Sequence, residues 1–504
     1  MMENLREVTS VLPILVFVVP VGAALLIFAL GRMHRIFREA LALLGLAVTF
    51  AISLVISGRV LSGELLTAWN GNLYVDGLSA LMEVLGSALG IVIVLYAAKY
   101  LPNHQIGMPL SPWRHTYFYG LLVLFMGTLN WTCATNSLIW MWVSLEATTL
   151  TSAFLVTFYW QRESMEAGYK YLLLISVGVT LALLGCVLIY AAAIPLLPGE
   201  NLLHLTEIGN VARLMPESVV LVACAMFVAG FGTKAGLIPF HAWLPDAHAE
   251  APVPVSALLS GIVIKIGAYA LARTVTIFAP YYEAVVIFVA ILASVSMVIG
   301  IVMALVQDDL KRLLAYSSVS QIAYVIEGLG LGTYLGIYGG LFHLVNHTIV
   351  KALLFLCAGA LMYAAGSRKI SELGTVAKKM PVTTFCFFVG ALAIGGLPPF
   401  NCFMSKLTLF FALADREILW AAIIGIVTGM VTVACFVWAA FRIFWRKPAS
   451  TPNPQIAAKS VPFLMQVSML VLALACILLG VFPQVLYPML NAATDSILRI
   501  LGAG

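Results

Sequence analysis

Four lysines and three glutamates lie within long apolar stretches of the chain, where a charged side chain is costly. A charge at the centre of a bilayer costs about 2.5–3.5 kcal/mol on insertion scales, so such residues usually mark ion or proton pathways. Buried amines and carboxyl groups can take up and release protons. The seven residues are Lys234, Lys265, Lys351, Lys406, Glu83, Glu146 and Glu327.

The depth of two of these glutamates stays open at the level of sequence. A side chain near a helix end can extend to the membrane surface, and Glu83 and Glu327 both allow that interpretation. The residues that instead stand well inside their apolar stretches are Glu146, Lys234, Lys265 and Lys406. We therefore expect the latter group to serve a function within the membrane.

Two histidines share a predicted helix face with one of the lysines. His343, His347 and Lys351 follow one another at intervals of four residues, which places them on roughly one side of an α-helix. Histidine titrates near neutral pH, and either ring nitrogen can carry the proton. A single histidine would more often be a packed core residue. Two in register with a lysine predict a proton relay.

Helix-breaking sequences accompany two of the lysines. Lys234 precedes LIPFHAWLPDAHAEAPVP, which contains four prolines, and Lys406 follows GGLPPFNCF. Proline removes a backbone donor, and in lipid the freed carbonyl oxygens need protein or water as partners. Broken helices in corresponding positions of two halves are typical of ion sites in transporters. The sequence thus predicts a hydrated cavity near each lysine.

Membrane helices must position these residues. Of the 504 residues, 62% are apolar and only 10% are charged, against roughly a quarter charged in soluble domains. This composition excludes a soluble enzyme, a disordered protein and a nucleic-acid-binding protein, and it predicts an all-α polytopic membrane protein. The net charge of +5 is too small to indicate a basic surface patch.

Fourteen apolar segments are long enough to cross a bilayer. We number them as spans in chain order, and expect the stretch 58–76 to be an extracytoplasmic loop and the tail 485–502 to lie at the interface. The spans cover residues 9–31, 37–57, 77–99, 115–134, 137–159, 167–193, 217–241, 254–275, 281–306, 313–331, 334–365, 381–414, 418–445 and 461–484.

The basic residues predict the orientation of these spans. Loops that follow odd-numbered spans hold 17 of the 27 Lys and Arg residues, whereas the other loops and the termini hold 6. Positive charge concentrates on the cytoplasmic side, so the odd loops should be cytoplasmic. The loops around residues 36, 375 and 450 then face inward, and both termini face outward.

A short internal repeat relates the two broken segments. Residues 236–240 (GLIPF) and 396–400 (GLPPF) share four of five residues, one in span 7 and the other in span 12. An offset of five spans reverses the direction in the membrane, so spans 4–8 and 9–13 should form two inverted five-helix repeats. The predicted divisions of the chain are 1–114, 115–275, 276–445 and 446–504.

The sequence offers no cofactor site of its own. Its eight cysteines are scattered singly, without a C-x-x-C pair, and neither a Walker motif nor a dinucleotide-binding motif is present. We therefore expect no cofactor and no metal in this chain. Any iron–sulfur, flavin, quinone or nickel–iron centre would belong to partner subunits.

Three long motifs resemble one known family. KAGLIPFHAWLPDAHAEAPVPVSALLSGIVIKIGAYALAR from Lys234, DDLKRLLAYSSVSQ at 308–321 and FHLVNHTIVKALLFLCAG at 342–359 are similar to the antiporter-like subunits of respiratory complex I. Mrp-type cation/proton antiporters and energy-converting membrane-bound hydrogenases of the formate hydrogenlyase type contain the same kind of subunit. The resemblance covers spans 3–13 and implies a fold of fourteen helices with two inverted repeats.

The resemblance also implies roles for individual residues. It assigns a proton-transfer relay, in which Glu146 and Lys234 form a switchable pair and Lys406 stands where family members carry lysine or glutamate. Lysine there disfavours the complex I subunit type that carries glutamate. The relay residues are Glu146, Lys234, Lys265, His343, His347 and Lys406, and the accessory candidates are His241, Asp308, Lys351 and Glu327.

The function that we favour is proton translocation in the inner (cytoplasmic) membrane, within a redox-driven complex of the membrane-bound hydrogenase type. The expected partners are other membrane and peripheral subunits, the lipid bilayer, and protons or Na⁺. A subunit of an Mrp-type Na⁺/H⁺ antiporter is the main alternative. A stand-alone solute transporter, or a scaffold that has lost pumping, would be further alternatives.

Overall fold

The protein is described by a computed structural model that covers residues 6–31, 34–103, 111–197, 202–447 and 460–500. It is mostly helical, and twelve helices in these ranges are long and apolar enough to cross a membrane. The predicted loop around residue 450, both chain ends and Lys459 lie outside the described residues.

The N-terminal part contains three helices and a small sheet. Asp76 caps the third helix, because its side chain accepts a hydrogen bond from the Ser79 backbone amide. The elements are β1 (Arg6–Thr9), α1 (Leu12–Leu30), α2 (Arg35–Leu61), β2 (Glu64–Ala68), β3 (Leu73–Val75) and α3 (Gly77–Tyr100).

The sheet corrects the prediction that the stretch 58–76 is only a loop, within a fold that is mostly helical as predicted. β1 pairs with β2 in parallel, and β2 pairs with β3 in antiparallel orientation. The parallel pair joins the start of the chain to a segment beyond two helices, so no local pattern could indicate it. We call the end of the helix bundle that carries these strands the strand end.

The first half of the core runs from α4 to α11, and its seventh predicted span is broken. α8 stops at Ala235 because Gly236 adopts a φ of 83°, a left-handed conformation that glycine accepts without strain. The helices are α4 (Pro112–Ala134), α5 (Leu138–Val156), α6 (Arg162–Ala193), α7 (Leu205–Val211), α8 (Glu217–Ala235), α9 (Trp243–Glu250), α10 (Val253–Leu258) and α11 (Ile264–Phe278).

The second half repeats this interruption at the twelfth predicted span. α15 ends at Gly395, and Gly396 has a φ of 84°, so both predicted breaks are confirmed. The helices are α12 (Glu283–Leu305), α13 (Leu310–Gly330), α14 (Tyr334–Ala365), α15 (Pro381–Gly395), α16 (Cys402–Asp415), α17 (Leu419–Phe444), α18 (Phe463–Val481) and α19 (Tyr487–Ile500).

Burial separates central helices from peripheral ones. The α10–α11 region, residues 253–278, is completely buried in its apolar window, whereas only 28% of the α1 window is buried. α19 buries one face, including Leu490 and Ile497, as its amphipathic pattern indicates. Each predicted span contains a helix, but α13 and the pair α15–α16 are not among the twelve candidates, so the count of fourteen stays a prediction.

Candidate functional site

Lys234 lies in the last turn of α8 and is fully buried. Its Nζ donates to the carbonyl oxygen of Leu145 at 2.8 Å and to Oγ1 of Thr149 at 2.7 Å. Both acceptors belong to α5. The break at Gly236 therefore leaves this ammonium group at the end of its own helix and bound to a neighbouring one.

Glu146 stands on α5 next to the carbonyl group that holds Lys234, but it does not contact the lysine directly. Its Oε2 accepts a hydrogen bond from Ser176 Oγ of α6 at 3.3 Å. The two charges still interact electrostatically. The carboxylate is thus bound to Ser176, and its charge acts on Lys234 without direct contact.

Lys265 follows a short π-helix at the start of α11. Its Nζ donates to the Ser260 carbonyl oxygen, which lies within the π-helical segment Leu259–Val263. A π-helical turn alters the usual pairing of backbone groups and is frequent at functional sites. Ser260 Oγ also hydrogen-bonds Ser318 of α13 at 2.8 Å, so this turn links both halves of the core.

His343 and His347 stack in parallel on α14, with ring centroids 5.9 Å apart. His343 Nδ1 shares a hydrogen bond of 3.0 Å with Ser405 Oγ of α16. Among the described residues, His343 Nε2 and both ring nitrogens of His347 have no hydrogen-bond partner. Three free nitrogens in a buried site are available to receive or donate a proton.

Lys406 lies on α16 and reaches back across the second break. Its Nζ donates to the carbonyl oxygens of Ile394 and Gly395 at 2.9 and 3.3 Å, at the C-terminal end of α15. It also lies 5.0 Å from the ring centroid of Tyr324. Helix C-termini and aromatic faces both stabilise cations, so the site holds an ammonium group without a carboxylate.

Five buried titratable residues around α14 act on one another electrostatically, and we call Lys265, Lys351, His347, His343 and Lys406 the row. His347 is affected electrostatically by Lys265, Lys351 and Lys406, and His343 most strongly by Lys406. Within the described ranges, no carboxylate lies within 4.0 Å of Lys234, Lys265, Lys351 or Lys406. The lysines of the row therefore have no described carboxylate that neutralises them by direct contact.

Two accessory candidates belong to the buried core. Lys351 Nζ donates to the Leu314 carbonyl oxygen at 2.9 Å and to Ser317 Oγ, both on α13. Glu327 is 1% exposed and accepts a hydrogen bond from Ser294 Oγ of α12 at 3.4 Å. Its position excludes the alternative that its carboxyl group extends to the surface.

The other two accessory candidates lie away from the centre of the row. His241 is half-buried in the linker after the first break, with its ring 6.2 Å from that of Tyr316. Asp308 accepts a hydrogen bond from the Ser371 backbone amide at 3.0 Å and pairs with Arg442 at 3.3 Å. Asp308 thus forms an ion pair with the last turn of α17.

Sequence reasoning missed two buried groups near the relay. His248 on α9 is fully buried, and neither ring nitrogen has a hydrogen-bond partner in the described structure. Lys265, Lys311 and Lys351 all act on it electrostatically. Lys311 Nζ donates to the carbonyl oxygen of Ala251 at 2.6 Å. His248 lies within the proline-rich segment and was not singled out there. Lys311 was assigned to a predicted loop.

In the ranges that the structure describes, no group of three or more His, Cys, Asp or Glu residues is arranged to hold a metal ion. The described cysteines are all free and buried. The chemistry that this arrangement supports is proton exchange between lysine, histidine and carboxyl groups.

Residues 135–432 match the family described as NADH:quinone oxidoreductase/Mrp antiporter, TM. The chain belongs to this family. The match includes both broken helices and all six relay residues, and it confirms the resemblance drawn from the three motifs. The family is one of multi-pass membrane proteins.

Individual relatives come from different complexes. NADH-quinone oxidoreductase subunit N of Desulforudis audaxviator is 31% identical, covering 94% of this chain and 97% of the relative. Hydrogenase-4 component F homolog of Methylacidiphilum infernorum is 32% identical over 75% of this chain and 80% of its own length. The two identities are nearly equal, although the first relative covers more of this chain.

A solved structure extends the similarity to the fold. A chain of the membrane-bound sulfane sulfur reductase, an archaeal respiratory membrane complex, superimposes with a TM-score of 0.84 at 26% identity. The similarity covers 97% of this chain and 98% of the other. Such relatives and neighbours are subunits of multisubunit membrane complexes.

Proposed function

We propose that the chain translocates protons as an antiporter-like subunit of a redox-driven, multisubunit complex in the cytoplasmic membrane. The observation that carries this proposal is the buried row of titratable groups through the core of both halves. Histidine nitrogens without partners stand between Lys265 and Lys406 in that row. A transporter of an organic solute would need a pocket shaped for its substrate instead.

The path runs from Lys234 to Lys265, then through His347 and His343 to Lys406. His347 is the histidine that interacts most with Lys265, and His343 is the one beside Ser405 and Lys406. This order reverses that of the two histidines in the sequence. Water in the breaks of the helices would join groups that do not touch.

Glu146 controls the first step. A nearby carboxylate favours the charged form of a lysine, whereas burial favours the neutral form. While Glu146 faces Lys234, the lysine keeps its proton. When a neighbouring subunit draws the carboxylate away from Lys234, the lysine releases the proton toward Lys265. This chain performs no redox reaction, so the driving energy comes from its partners.

The membrane arrangement that we propose has fourteen spans, with both termini outside. α13 and the broken pair α15–α16 would complete the twelve candidate helices, and α4–α11 and α12–α17 would form the inverted repeats. Lys369, which is 62% exposed in its side chain, tests the orientation. After Lys369→Cys, we expect labelling by a membrane-impermeant thiol reagent only from the cytoplasmic side. Labelling in intact cells would refute this topology.

We favour a complex of the energy-converting hydrogenase type, and an Mrp-type Na⁺/H⁺ antiporter is the second candidate because its name is part of the family's description. The test is to purify the chain with its partners from native membranes, identify them, and place the complex in vesicles. We expect redox turnover to generate ΔpH without added Na⁺. Exchange of Na⁺ for H⁺ without redox partners would instead establish the antiporter.

A further inference from the structure

Glu83 is a fully buried carboxyl group that the relay does not use. It lies within α3 and is 0% exposed, and neither of its oxygens has a hydrogen-bond partner in the described structure. An ionised carboxylate without a partner is costly to bury, whereas a protonated one is both a donor and an acceptor. The surroundings therefore favour a carboxyl group that carries a proton at rest.

Three helices meet at the Cys133 carbonyl oxygen, one turn of α3 from Glu83. Ser79, one turn earlier on α3, donates its hydroxyl to the Cys133 carbonyl oxygen of α4 at 2.6 Å. The hydroxyl of Tyr269 on α11 donates to the same carbonyl oxygen at 2.8 Å. Glu83 follows Ser79 by four residues on α3 and interacts electrostatically with the Cys133 thiol, so its carboxyl group lies near this junction. We call Ser79, Glu83, Cys133 and Tyr269 the polar seam.

Measured along α3 and α11 from the strand end, the polar seam extends about as deep as Lys265 of the relay. α3 and α11 run in opposite directions, since Asp76 meets Arg273 at the strand end and Leu89 fills the space beside Gly261 further in. A Cβ atom on Gly261 would lie 2.5 Å from the Leu89 side chain. With a rise of about 1.5 Å per residue, the buried carboxyl of α3 falls near the level of Lys265.

A buried ion pair lies at the strand end of the seam. Arg273 donates to both carboxylate oxygens of Asp76, at 2.7 and 2.6 Å, and to Ser79 Oγ at 3.0 Å. Burial opposes ionisation of Asp76, but Arg273 and Ser79 outweigh it and lower the pKa of Asp76 below its ordinary value. The pair stays charged and orders the polar groups around it.

A polar pocket lies beyond this ion pair. It has a volume of about 450 Å³ between the sheet, α7 and α19. Tyr74, two residues before Asp76, connects the two, because it lines the pocket and interacts electrostatically with the ion pair. The titratable residues that line the pocket are Glu7, Tyr74, His204, Glu207 and Arg499.

We propose that Glu83 is a second proton-binding site, which exchanges its proton with the pocket at the strand end through the polar seam. The ligand is a proton, and the exchange moves it between a Glu83 oxygen and water of the pocket without a change in oxidation state. Any part that Glu83 plays in pumping rests on the proposed function, whereas its protonation and exchange do not.

The test measures the infrared absorption of protonated carboxyl groups in the purified complex, before and after transfer from H₂O to D₂O. We expect Glu83→Gln to remove one such band, and the same band to shift in the wild type when D₂O is added. Glu327→Gln is the matched control, because it also removes a buried carboxyl group but lies outside the seam. That control should leave the Glu83 band unchanged.

Two results would overturn the proposal. One is that Glu83→Gln removes no band, which means that Glu83 is not protonated. The other is a band that is lost in the variant but does not shift in D₂O, which means that the Glu83 carboxyl group does not exchange its proton with water. If Glu83→Gln fails to assemble, Glu83→Asp should displace the band without abolishing it. All measurements are made without redox turnover, so they stand even if the proposed pumping function fails.

Discussion

Lys234 and Lys406 stand beside matching breaks, yet their ammonium groups are held by different elements. Lys234 ends the first half-helix and binds α5, the helix that also carries Glu146. Lys406 lies on the second half-helix and binds the C-terminal carbonyls of its own broken partner, α15. Movement of a neighbouring helix can therefore act on Lys234, whereas Lys406 is held within its own helix pair. This contrast suggests a controlled donor in one half and a terminal site in the other.

The largest loss of proton pumping should follow from substitutions at Lys234 and Glu146. Lys234→Ala and Glu146→Gln should each reduce ΔpH formation per redox turnover by about a hundredfold or more, the scale on which proton-transfer groups act. The double variant should be no worse than the worse single variant, because the two residues act as a unit. Measurement uses vesicles that contain the intact complex.

Exposed residues of the same types provide the controls for this pair. Lys369→Ala and Glu166→Gln should pump normally, since both side chains are largely exposed. Additive losses in the double variant, or failure of both single variants to assemble, would indicate a packing role for Glu146 and Lys234.

Proton transport should depend on whether the side chain at position 406 can release a proton. Lys406→Arg keeps a positive group, but arginine does not release its proton at accessible pH. We expect this variant to assemble and to lose most transport, whereas Lys406→Glu should keep part of it because glutamate can titrate. The readout is ΔpH formation with redox turnover recorded in parallel. Wild-type pumping by Lys406→Arg would show that this charge is only structural.

The smallest expected effect concerns the hydroxyl group that holds Lys234. Thr149→Val removes one hydrogen bond to a charged group, worth about 1.5–3 kcal/mol, but leaves the Leu145 carbonyl in place. Pumping should fall by less than in Lys234→Ala. Thr151→Val is the control on the same helix, since Thr151 bonds the Ala147 carbonyl oxygen. Equal effects of both valines would contradict a special role for Thr149.

Much of the fold could be predicted because lipid restricts the chain to helices and makes buried charges conspicuous. Apolar length indicated the spans, and the glycine–proline clusters indicated both breaks. The strands could not be predicted, since β1 and β2 pair across two intervening helices. Lys311 was also missed: it stands in the first turn of α13, and only the packed structure shows that it donates to the Ala249 carbonyl oxygen of α9.

The site was less predictable than the helices that carry it. Spacing placed His343 and His347 on one face, and the structure confirms that their rings stack. Spacing could not show that Lys234 binds a carbonyl and a hydroxyl group of α5 instead of the Glu146 carboxylate. Contacts between helices depend on their rotation and distance, which one sequence pattern does not determine.

The link between the two halves is the central claim, and His347 tests it most directly. Neither of its ring nitrogens has a described partner, so His347→Gln breaks no described hydrogen bond. The measurement is ΔpH per redox turnover in vesicles of the intact complex, with the exposed His34→Gln as control. We predict continued redox turnover with little ΔpH in His347→Gln and normal ΔpH in the control. Full ΔpH formation in His347→Gln would contradict a proton path through this histidine.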